Sequence, residues 1–396
     1  MALDCKRRTS AGKCASSIAF RSSADDRHHP LTLKFKSQNS FGWAGGRGAK
    51  GEAVAQNVNG KDTDEGTDMK NWLIGLAMIL CTASAGAQSI VDVTYVRDAA
   101  ARGAILWDVR EEAAFAKGHI PGALNIGEPT LVLRNSQTED YLPVPDIEKI
   151  LGTAGIDPKR EIVVYGDRGL PSAYFALVTL RYFGAMNARV FHDGIDAWRG
   201  AGLPISTVPA KAKPVALKLA PQPGVLVETR AVVAAQKRGD VQIVDVRTVK
   251  EFKGEDVRAL RGGHIPGAAN IPFEQNWVDP DTRGKLRRGE VKDSAGMSLK
   301  PREQLAQVYA KLDSAKETIV YCQSGNRAAQ TAVVLTDLGF SNVQVFDSSW
   351  LGYSSWLSAP ADDEVWTNFG GLLTAIKGLE DRYGELQRQV APKTAR

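Results

Sequence analysis

Short apolar runs alternate with longer amphipathic stretches over most of the chain. The apolar runs have the length and the β-branched content of buried strands. In chain order, these predicted strands are Ile105–Trp107, Ile162–Tyr165, Arg189–Phe191, Val241–Val244, Thr318–Tyr321 and Val343–Phe346. The stretches Tyr174–Phe183 and Ala328–Leu338 are predicted to be helices. This alternation predicts an α/β fold with a mainly parallel sheet, in which ligands bind beyond the carboxyl ends of the strands.

The chain also repeats itself. Asp-Val-Arg occurs at 108–110 and 245–247, and Gly-His-Ile-Pro-Gly-Ala occurs at 118–123 and 263–268. A period of about 140 residues is too long for a solenoid and indicates a duplicated domain. We therefore predict a first domain at 89–206, a Pro- and Lys-rich linker at 207–224, a second domain at 225–358 and a helical tail at 359–396.

Composition and charge narrow the function classes. The 396 residues are 43% hydrophobic and 24% charged, which is ordinary for a globular protein, and the formal net charge is +5. Basic and acidic residues are interleaved, with no basic stripe carrying aromatic residues, so nucleic-acid binding is not expected. A mildly basic surface suits small anionic substrates, although a simply solvated surface would have the same composition.

The first 87 residues differ from the rest of the chain. Residues 1–68 are polar and lack periodicity, which predicts disorder. Residues 69–87 combine Lys70, a short apolar run and an Ala-x-Ala pattern, as in a secretory signal peptide. We expect translation to begin at Met69, with residues 1–68 an over-long reading of the gene, and the protein to be periplasmic or secreted. A two-part targeting sequence and an uncleaved anchor are the alternatives.

The four cysteines are Cys5, Cys14, Cys81 and Cys322. No pair of them has metal-site spacing and no histidines cluster near them, so no metal is expected. Cleavage after Ala87 would leave Cys322 as the single cysteine of the mature protein, without an intrachain disulfide partner. Cys322 is then either a small buried hydrophobe or a reactive thiol.

The residues around Cys322 favour the reactive thiol. The cysteine follows the predicted strand Thr318–Tyr321 and precedes a predicted helix, so unpaired backbone N–H groups at the helix start can face the sulfur. Gly325 lets the loop curl and Arg327 adds a positive charge, and both features stabilise a thiolate. The candidate site therefore comprises the nucleophile Cys322 and the binding residues Gln323, Ser324, Gly325, Asn326 and Arg327.

With these motifs together, the chain resembles the rhodanese sulfurtransferases. The resemblance rests on Cys-Gln-Ser-Gly-Asn-Arg after a strand, the two Asp-Val-Arg and Gly-His-Ile-Pro-Gly-Ala motifs, and Val-Phe-Asp with Trp350 downstream. It implies two tandem rhodanese-like domains, the first inactive because Gly166 stands where Cys322 stands in the second. It also implies transfer of sulfur from a small anionic donor to cyanide or a thiol through a persulfide on Cys322, with no cofactor.

Two other functions remain open. A non-catalytic sulfur carrier, or a binding module that serves a partner protein, could use the same cysteine. A phosphatase is less favoured. In the phosphatases that resemble this family, the arginine lies six positions after the cysteine, whereas Arg327 lies five positions after Cys322.

The resemblance also directs attention to anion-binding arginines. The insertion Lys253–Gly262 has no counterpart in the first half, and Arg258, then Arg261, is the candidate there, while a solvated loop is the alternative. Glu251 departs from an arginine common in dedicated family members, and Gln323 and Ser324 replace a basic pair. These departures leave thiosulfate and 3-mercaptopyruvate both open as donors.

Several repeated residues are more easily read as structural. Arg247 is a further candidate binding residue, but an ion pair with Asp245 that stabilises the fold is favoured, because the same pair recurs in the first half. His119 and His264 recur in the same way and are predicted to be structural. Trp350 is expected to pack near the active loop.

The tail carries a heptad-like stripe of apolar residues. The stripe comprises Phe369, Leu372, Ile376, Leu379, Tyr383, Leu386 and Val390, spaced by alternating threes and fours. Docking of this helix against the second domain is the favoured interpretation, and a short coiled coil that forms a homodimer is the alternative.

Overall fold

The computed structural model describes residues 88–390. The predicted extension at 1–68 and the predicted signal peptide at 69–87 lie outside the described residues, together with Cys5, Cys14 and Cys81.

The first domain alternates strands and helices. Its strands are β1 (Ile90–Val91), β2 (Ile105–Asp108), β3 (Leu124–Asn125), β4 (Ile162–Tyr165) and β5 (Ala188–Phe191). Its helices are α1 (Val93–Ala101), α2 (Glu112–Ala116), α3 (Pro129–Val132), α4 (Val144–Ala154), α5 (Pro171–Tyr182) and α6 (Gly194–Gly200).

The second domain repeats this order with additions. Its strands are β6 (Leu226–Val227), β7 (Gln242–Asp245), β8 (Arg261–His264), β9 (Ala269–Asn270), β10 (Thr318–Tyr321) and β11 (Val343–Phe346). Its helices are α7 (Thr229–Arg238), α8 (Val249–Phe252), α9 (Thr282–Arg287), α10 (Arg302–Val308), α11 (Asn326–Leu338) and α12 (Ser349–Ser355). Two 3₁₀ turns, Phe273–Asn276 and Ala295–Met297, flank α9, and β12 (Asp362–Trp366) and α13 (Phe369–Val390) follow.

Each domain is built on a five-stranded parallel sheet. The strand orders are β1-β5-β4-β2-β3 and β6-β11-β10-β7-β9, which are equivalent arrangements of equivalent strands. The prediction of two tandem α/β domains with mainly parallel sheets flanked by helices is confirmed. β8 and β12 form a separate antiparallel pair at the insertion.

Burial explains why the strand positions were readable from the sequence. All four residues of β2, β4 and β10 are buried, because helices cover both faces of a parallel sheet. Such strands appear in the sequence as short continuous apolar runs rather than as alternating patterns.

One hydrophobic core joins the two domains. It contains residues from both sheets and from α5 and α11, including Leu177, Val333 and the side chain of Cys322. Each domain has a second, smaller core on the opposite face of its own sheet. The helices α5 and α11, which follow the equivalent loops of the two halves, pack against each other between the sheets. The loop between β10 and α11, which begins at Cys322, therefore lies at the domain interface.

The segment between α6 and β6 is attached to the first domain. The N–H of Val215 donates to the Gly152 carbonyl (2.9 Å), the N–H of Leu219 to the Glu148 carboxylate (2.7 Å) and the N–H of Gln222 to the Tyr182 carbonyl (2.7 Å). No helix or strand of the described residues lies between Gly200 and Leu226.

The helix α13 is exposed along its entire length. None of its residues is buried, and the apolar stripe from Phe369 to Val390 faces solvent. The favoured interpretation, in which this helix docks against the second domain, does not describe the structure. None of the helices among residues 88–390 is both long enough and apolar enough to cross a membrane.

Candidate active site

Cys322 lies directly after β10, at the carboxyl edge of the second sheet. Its side chain is only 1% exposed, and the loop from Cys322 to Gly325 leads straight into α11. Gly325 has φ +83°, and a Cβ there would lie 2.6 Å from the Asp347 carbonyl oxygen. Glycine is therefore required for the loop to turn at this point.

The hydroxyl of Ser349, the first residue of α12, holds the loop from Cys322 to Gly325 in place. Ser349 Oγ accepts the N–H groups of Cys322 and Gly325, each at 3.0 Å, and donates to the Phe346 carbonyl at 2.6 Å. Ser349 is buried and has φ +49°, a left-handed backbone conformation that is unfavourable for residues other than glycine. Strain of this kind persists where surrounding contacts hold it, and it concentrates at functional sites.

The start of α12 also caps the loop. The N–H of Trp350 donates to the Cys322 carbonyl (3.1 Å) and the N–H of Leu351 to the Gln323 carbonyl (2.9 Å). Trp350 is buried, and its indole N–H donates to the Arg261 carbonyl (2.8 Å). Trp350 thus packs next to the active loop, where the sequence placed it.

The first domain contributes an arginine to the same loop. Arg134 Nη1 donates to the Ser324 carbonyl at 2.5 Å, and Nη2 forms an ion pair with Asp347. The guanidinium stacks 4.4 Å from the centre of the Phe175 ring. Burial raises the pKa of Asp347 to about 6, although the charge of Arg134 opposes this shift. The first domain therefore helps to set the conformation of the loop that carries Cys322.

Glu251 organises two arginines beside the cysteine. Its two carboxylate oxygens accept from Arg327 Nη1 (2.8 Å) and Nη2 (2.7 Å), and Arg258 pairs with the same carboxylate. Glu251 is itself buried and is held in a capping box with Thr248 at the start of α8. Burial lowers the pKa of Arg258, and the neighbouring positive charges of Arg327 and Arg247 lower it further.

A cavity of about 700 Å³ opens over the cysteine between the two domains. The second domain lines it with Arg258, Arg283, Cys322, Gln323, Ser324, Asn326 and Arg327. The first domain lines it with Val109, Arg110, Glu111, Ala114, Glu128, Glu139, Asp167, Leu170, Pro171 and Ser172. The charged side chains that the second domain places on this cavity are all arginines, whereas those of the first domain are four carboxylates and Arg110.

The structure brings most of the predicted site residues together. Cys322, Gln323, Ser324, Asn326, Arg327 and Arg258 all line the cavity, and Gly325 shapes the loop beneath it. Gln323 also donates to the Arg258 carbonyl at 2.9 Å, which ties the insertion to the loop.

Arg247 and Arg261 are not among the residues that line this cavity. Arg247 is buried, donates to Asp245 (3.0 and 2.6 Å) and to the Gly263 carbonyl (2.7 Å), and stacks 4.7 Å from the Trp350 ring. Arg261 is buried in β8, where it donates to three carbonyls and pairs with Glu364. Both arginines hold backbone segments in place.

The two repeated histidines have equivalent surroundings. His119 stacks on Phe115 with ring centroids 3.7 Å apart, and His264 stacks on Phe252 at 3.5 Å. Each has its Nδ1 3.0 Å from the carbonyl of the stacked residue.

The equivalent place in the first domain has no nucleophile. Gly166 follows β4 as Cys322 follows β10, and a Cβ at Gly166 would lie 2.6 Å from Leu170 Cδ2. Pro171 stands at the position of Arg327, and Ala114 at the position of Glu251. The first half therefore lacks the thiol, the arginine and the carboxylate that organises it.

Three side chains at or near the site were not identified from the sequence: Arg134, Arg283 and Ser349. Arg134 and Arg283 lie outside the sequence motifs that recur in both halves, so the repeat did not mark them. Ser349 lies in the Ser-Ser-Trp sequence, but its hydrogen bonds depend on a backbone conformation that serine seldom adopts.

In chemical terms, the site places one sulfur at the base of a cavity whose nearer wall is cationic. No group of three or more His, Cys, Asp or Glu side chains suited to a metal ion occurs within residues 88–390. The arrangement can bind a small anion beside a cysteine, a residue type that acts as a nucleophile.

Comparison with known proteins matches this organisation. The family model of the rhodanese-like domain matches residues 92–201 and 229–356. A thiosulfate sulfurtransferase of Corynebacterium glutamicum is 32% identical over 258 residues, covering 62% of this chain and 80% of that protein. A putative thiosulfate sulfurtransferase of Mycobacterium tuberculosis is 28% identical over 263 residues, covering 64% of this chain and 88% of that protein.

Solved structures share the fold. SseA from Escherichia coli, a 3-mercaptopyruvate sulfotransferase, aligns with a TM-score of 0.54 at 23% identity, over 67% of this chain and 99% of that chain. The anaerobic ergothioneine biosynthesis enzyme from Chlorobium limicola aligns with a TM-score of 0.57 at 21% identity, over 69% of each chain. Proteins that share the fold thus differ in the molecules they act on.

Proposed function

Since the chain belongs to the rhodanese family, as a tandem of two rhodanese-like domains, we propose that it is a sulfurtransferase that works through a persulfide on Cys322. The donor is thiosulfate or 3-mercaptopyruvate, and the acceptor is cyanide or a thiol. One observation supports this most directly. Cys322, the single cysteine of the described residues, lies on the inter-domain cavity beside Arg258, Arg283 and Arg327.

The first step loads sulfur onto the cysteine. With thiosulfate, the Cys322 thiolate attacks the outer sulfur, a new S–S bond forms, and the original S–S bond breaks with its electron pair leaving on sulfite. The total charge of −3 is the same on both sides of this step. The backbone N–H groups that begin α11 and the guanidinium wall of the cavity stabilise the anions involved.

The second step transfers the sulfur from Cys322 to the acceptor. A cyanide ion or a thiolate attacks the outer sulfur of the persulfide, and the electron pair of the broken S–S bond returns to Cys322. The product is thiocyanate or a new persulfide, and no external oxidant or reductant is consumed. The two steps make a ping-pong cycle, which is the kinetic signature of a covalent intermediate.

Thiosulfate is the first donor to test, because the relatives from Corynebacterium glutamicum and Mycobacterium tuberculosis carry that name. Glu251 neutralises part of the charge of Arg258 and Arg327, so the site is less cationic than its arginine content indicates. 3-Mercaptopyruvate is the second donor, in keeping with the fold shared with SseA.

The decisive experiment measures thiocyanate formation from thiosulfate and cyanide by the full chain and by Cys322→Ser. We expect steady turnover by the parent and background rates by the variant. If neither thiosulfate nor 3-mercaptopyruvate supports transfer to cyanide or to a thiol, the proposal fails. Turnover that survives in Cys322→Ser would contradict the assignment of the nucleophile.

The number of sulfur atoms transferred per Cys322 distinguishes an enzyme from a sulfur carrier that serves a partner protein. A carrier would accept one sulfur per Cys322 and release it slowly without its partner, whereas the enzyme completes many cycles. Mass spectrometry of the persulfide together with product counting distinguishes the two. The burial of the Cys322 side chain favours small substrates over a protein partner at this site.

The protein is also proposed to be periplasmic or secreted, on the basis of the signal-peptide pattern from Met69 to Ala87. N-terminal sequencing of the protein purified from its native host tests this. A mature chain beginning at Gln88 is expected, and an intact Met1 would contradict it.

A homodimer through α13 completes the proposal. Read as heptads, the stripe has Leu372, Leu379 and Leu386 at d and Phe369, Ile376, Tyr383 and Val390 at a. Two of the four a positions, Ile376 and Val390, are β-branched, and β-branched residues at a with leucine at d favour two-stranded parallel coiled coils. Light scattering should show a dimer that becomes a monomer when residues 369–396 are deleted, with β12 left in place. A parent that is already monomeric would exclude the dimer.

A further inference from the structure

Four arginines line the cavity over Cys322, and they differ in what already binds them. Arg110 pairs with Asp108 and lies 3.6 Å from Asp167. Arg258 and Arg327 both pair with Glu251. Arg283 has no ion pair and no side-chain hydrogen bond within residues 88–390. It is therefore the one guanidinium on the cavity that can bind an anion without first breaking an existing ion pair.

Aromatic rings hold Arg283 in place instead. Its guanidinium carbon lies 5.0 Å from the centre of the Trp277 ring and 5.5 Å from that of Phe273. Both rings are buried, so they form a fixed platform beneath the cation. A guanidinium packed against fixed aromatic rings keeps its N–H donors available in its own plane and loses little conformational entropy on binding.

The position of Arg283 also gives it access to substrate. It lies on α9, lines the cavity with Cys322, and at the same time lines an adjoining cavity of about 600 Å³ with Glu274 and Arg287. Arg258 and Arg327 line both cavities as well. Arg283 thus belongs to the group of residues shared by the cavity over Cys322 and the adjoining cavity.

We propose that Arg283 binds the anionic leaving group of the sulfur donor, a sulfonate in thiosulfate or a carboxylate in an α-keto acid donor. This inference rests on the proposed function and names the residue that recognises its donor. As the S–S bond of thiosulfate breaks, negative charge shifts onto the departing sulfite, and a guanidinium beside it stabilises that charge.

The test separates binding from turnover. Isothermal titration of thiosulfate into Cys322→Ser, which cannot react, gives the dissociation constant of the parent site. Cys322→Ser/Arg283→Met keeps an unbranched side chain on the Trp277 platform but removes the charge. We expect its dissociation constant to rise at least tenfold, equivalent to ~1.4 kcal/mol. Cys322→Ser/Arg283→Lys keeps the positive charge but lacks the planar guanidinium, so its dissociation constant for thiosulfate should rise less.

Arg287→Met in the same Cys322→Ser background is the matched control. Arg287 lies one helical turn further along α9, is exposed, and lines only the adjoining cavity. The inference is overturned if Arg283→Met leaves binding unchanged, if Arg287→Met weakens binding equally, or if the parent does not bind thiosulfate. Thermal unfolding of each variant verifies that its fold is intact.

Kinetics with Cys322 in place distinguish this inference from the function itself. In Arg283→Met, the KM for thiosulfate should rise at least tenfold, while the KM for cyanide stays within about twofold. Absence of sulfur transfer by the parent would refute the proposed function. Normal transfer by the parent with an unaltered thiosulfate KM in Arg283→Met would refute only the role of Arg283.

Discussion

The two halves of the chain have the same frame but different chemistry. Arg110 Nε donates to Asp108 at 3.0 Å and Arg247 Nε donates to Asp245 at 3.0 Å. The guanidinium of each arginine also donates to an equivalent glycine carbonyl, at 2.8 Å in the first half and 2.7 Å in the second. These repeated contacts connect one end of each sheet to the loop beside it, and they are present whether or not the half has a nucleophile.

The differences lie at the carboxyl edge of the sheet. Position by position, the second half has Cys322, Arg327, Glu251 and Ser349 where the first has Gly166, Pro171, Ala114 and Gly194. Gly194 has φ +50° and Ser349 has φ +49°, so the backbone is the same and only the hydroxyl is new. Residues that recur in both halves thus hold the fold, and residues confined to one half hold the site.

The strongest challenge to this comparison is to move the cysteine. Gly166→Cys in a Cys322→Ser background should leave thiocyanate formation at background, because the first half lacks the arginine and has Leu170 against the new Cβ. Cyanide assays on the double variant and on Cys322→Ser alone provide the measurement. Recovered turnover would mean that a thiol at the end of β4 is sufficient by itself.

Glu251→Gln should produce the largest loss of stability. Glu251 is buried and accepts from Arg327, Arg258 and Thr248, so removing its charge leaves Arg327 unmatched. Breaking a buried ion pair costs about 3–5 kcal/mol. Urea unfolding would measure the loss, with Glu290→Gln on the exposed surface as a control that should behave like the parent. Equal unfolding free energies of the two variants would show that the charge of Glu251 does not stabilise the site.

Ser349→Ala and Ser349→Gly separate the hydroxyl from the backbone strain. Both variants lose the acceptor for the N–H groups of Cys322 and Gly325, so turnover should fall in both. Unsatisfied buried donors should lower the unfolding free energy of Ser349→Ala by roughly 2–3 kcal/mol. Ser349→Gly should be more stable than Ser349→Ala by about 1 kcal/mol, because glycine tolerates a positive φ.

If the alanine variant proves the more stable of the two, the positive φ of residue 349 carries no strain. Turnover equal to that of the parent in both variants would show that the loop keeps its conformation without the hydroxyl.

The smallest effect concerns pH. Burial raises the pKa of Asp347 to about 6, above its value in the unfolded chain, so the native state binds a proton more tightly than the unfolded state does. The corresponding stability is present below about pH 4 and is lost as pH rises through about 6. From pH 4 to pH 7, the parent should lose on the order of 2 kcal/mol relative to Asp347→Asn, whose side chain does not titrate.

Parallel urea titrations of both proteins at several pH values measure this difference. Since other carboxylates titrate in both proteins, only the difference between the two curves reports Asp347. A constant difference across this range would show that Arg134 keeps Asp347 at its ordinary pKa.

Much of this molecule was predictable from its sequence, for identifiable reasons. Strands such as Ile162–Tyr165 and Thr318–Tyr321 are buried on both faces, and short continuous apolar runs reveal them. The internal repeat aligned Gly166 with Cys322 and so indicated that the first half lacks the cysteine. The loop residues from Gln323 to Arg327 could be predicted because they are adjacent to Cys322 in the sequence.

The remaining site features depend on tertiary structure. Arg134 is 190 residues from Ser324, and only the packing of the two domains brings them together. Arg283 is one of several arginines in a polar segment, and its platform of Trp277 and Phe273 is formed by the 3₁₀ turn and the residue after it. The exposure of α13 likewise could not be inferred, because an apolar stripe looks the same whether it faces a domain or solvent.

The core shared by α5 and α11 has a consequence for the history of such a chain. The N–H groups of Ser89 and Ile90, at the start of the first domain, both donate to Asp337 near the end of α11, at 3.0 Å. After duplication, a copy without a nucleophile would ordinarily be free to accumulate mutations or be deleted. Here that copy supplies part of a shared interior and an arginine to the second domain, so mutations in it would also disturb the loop that carries Cys322.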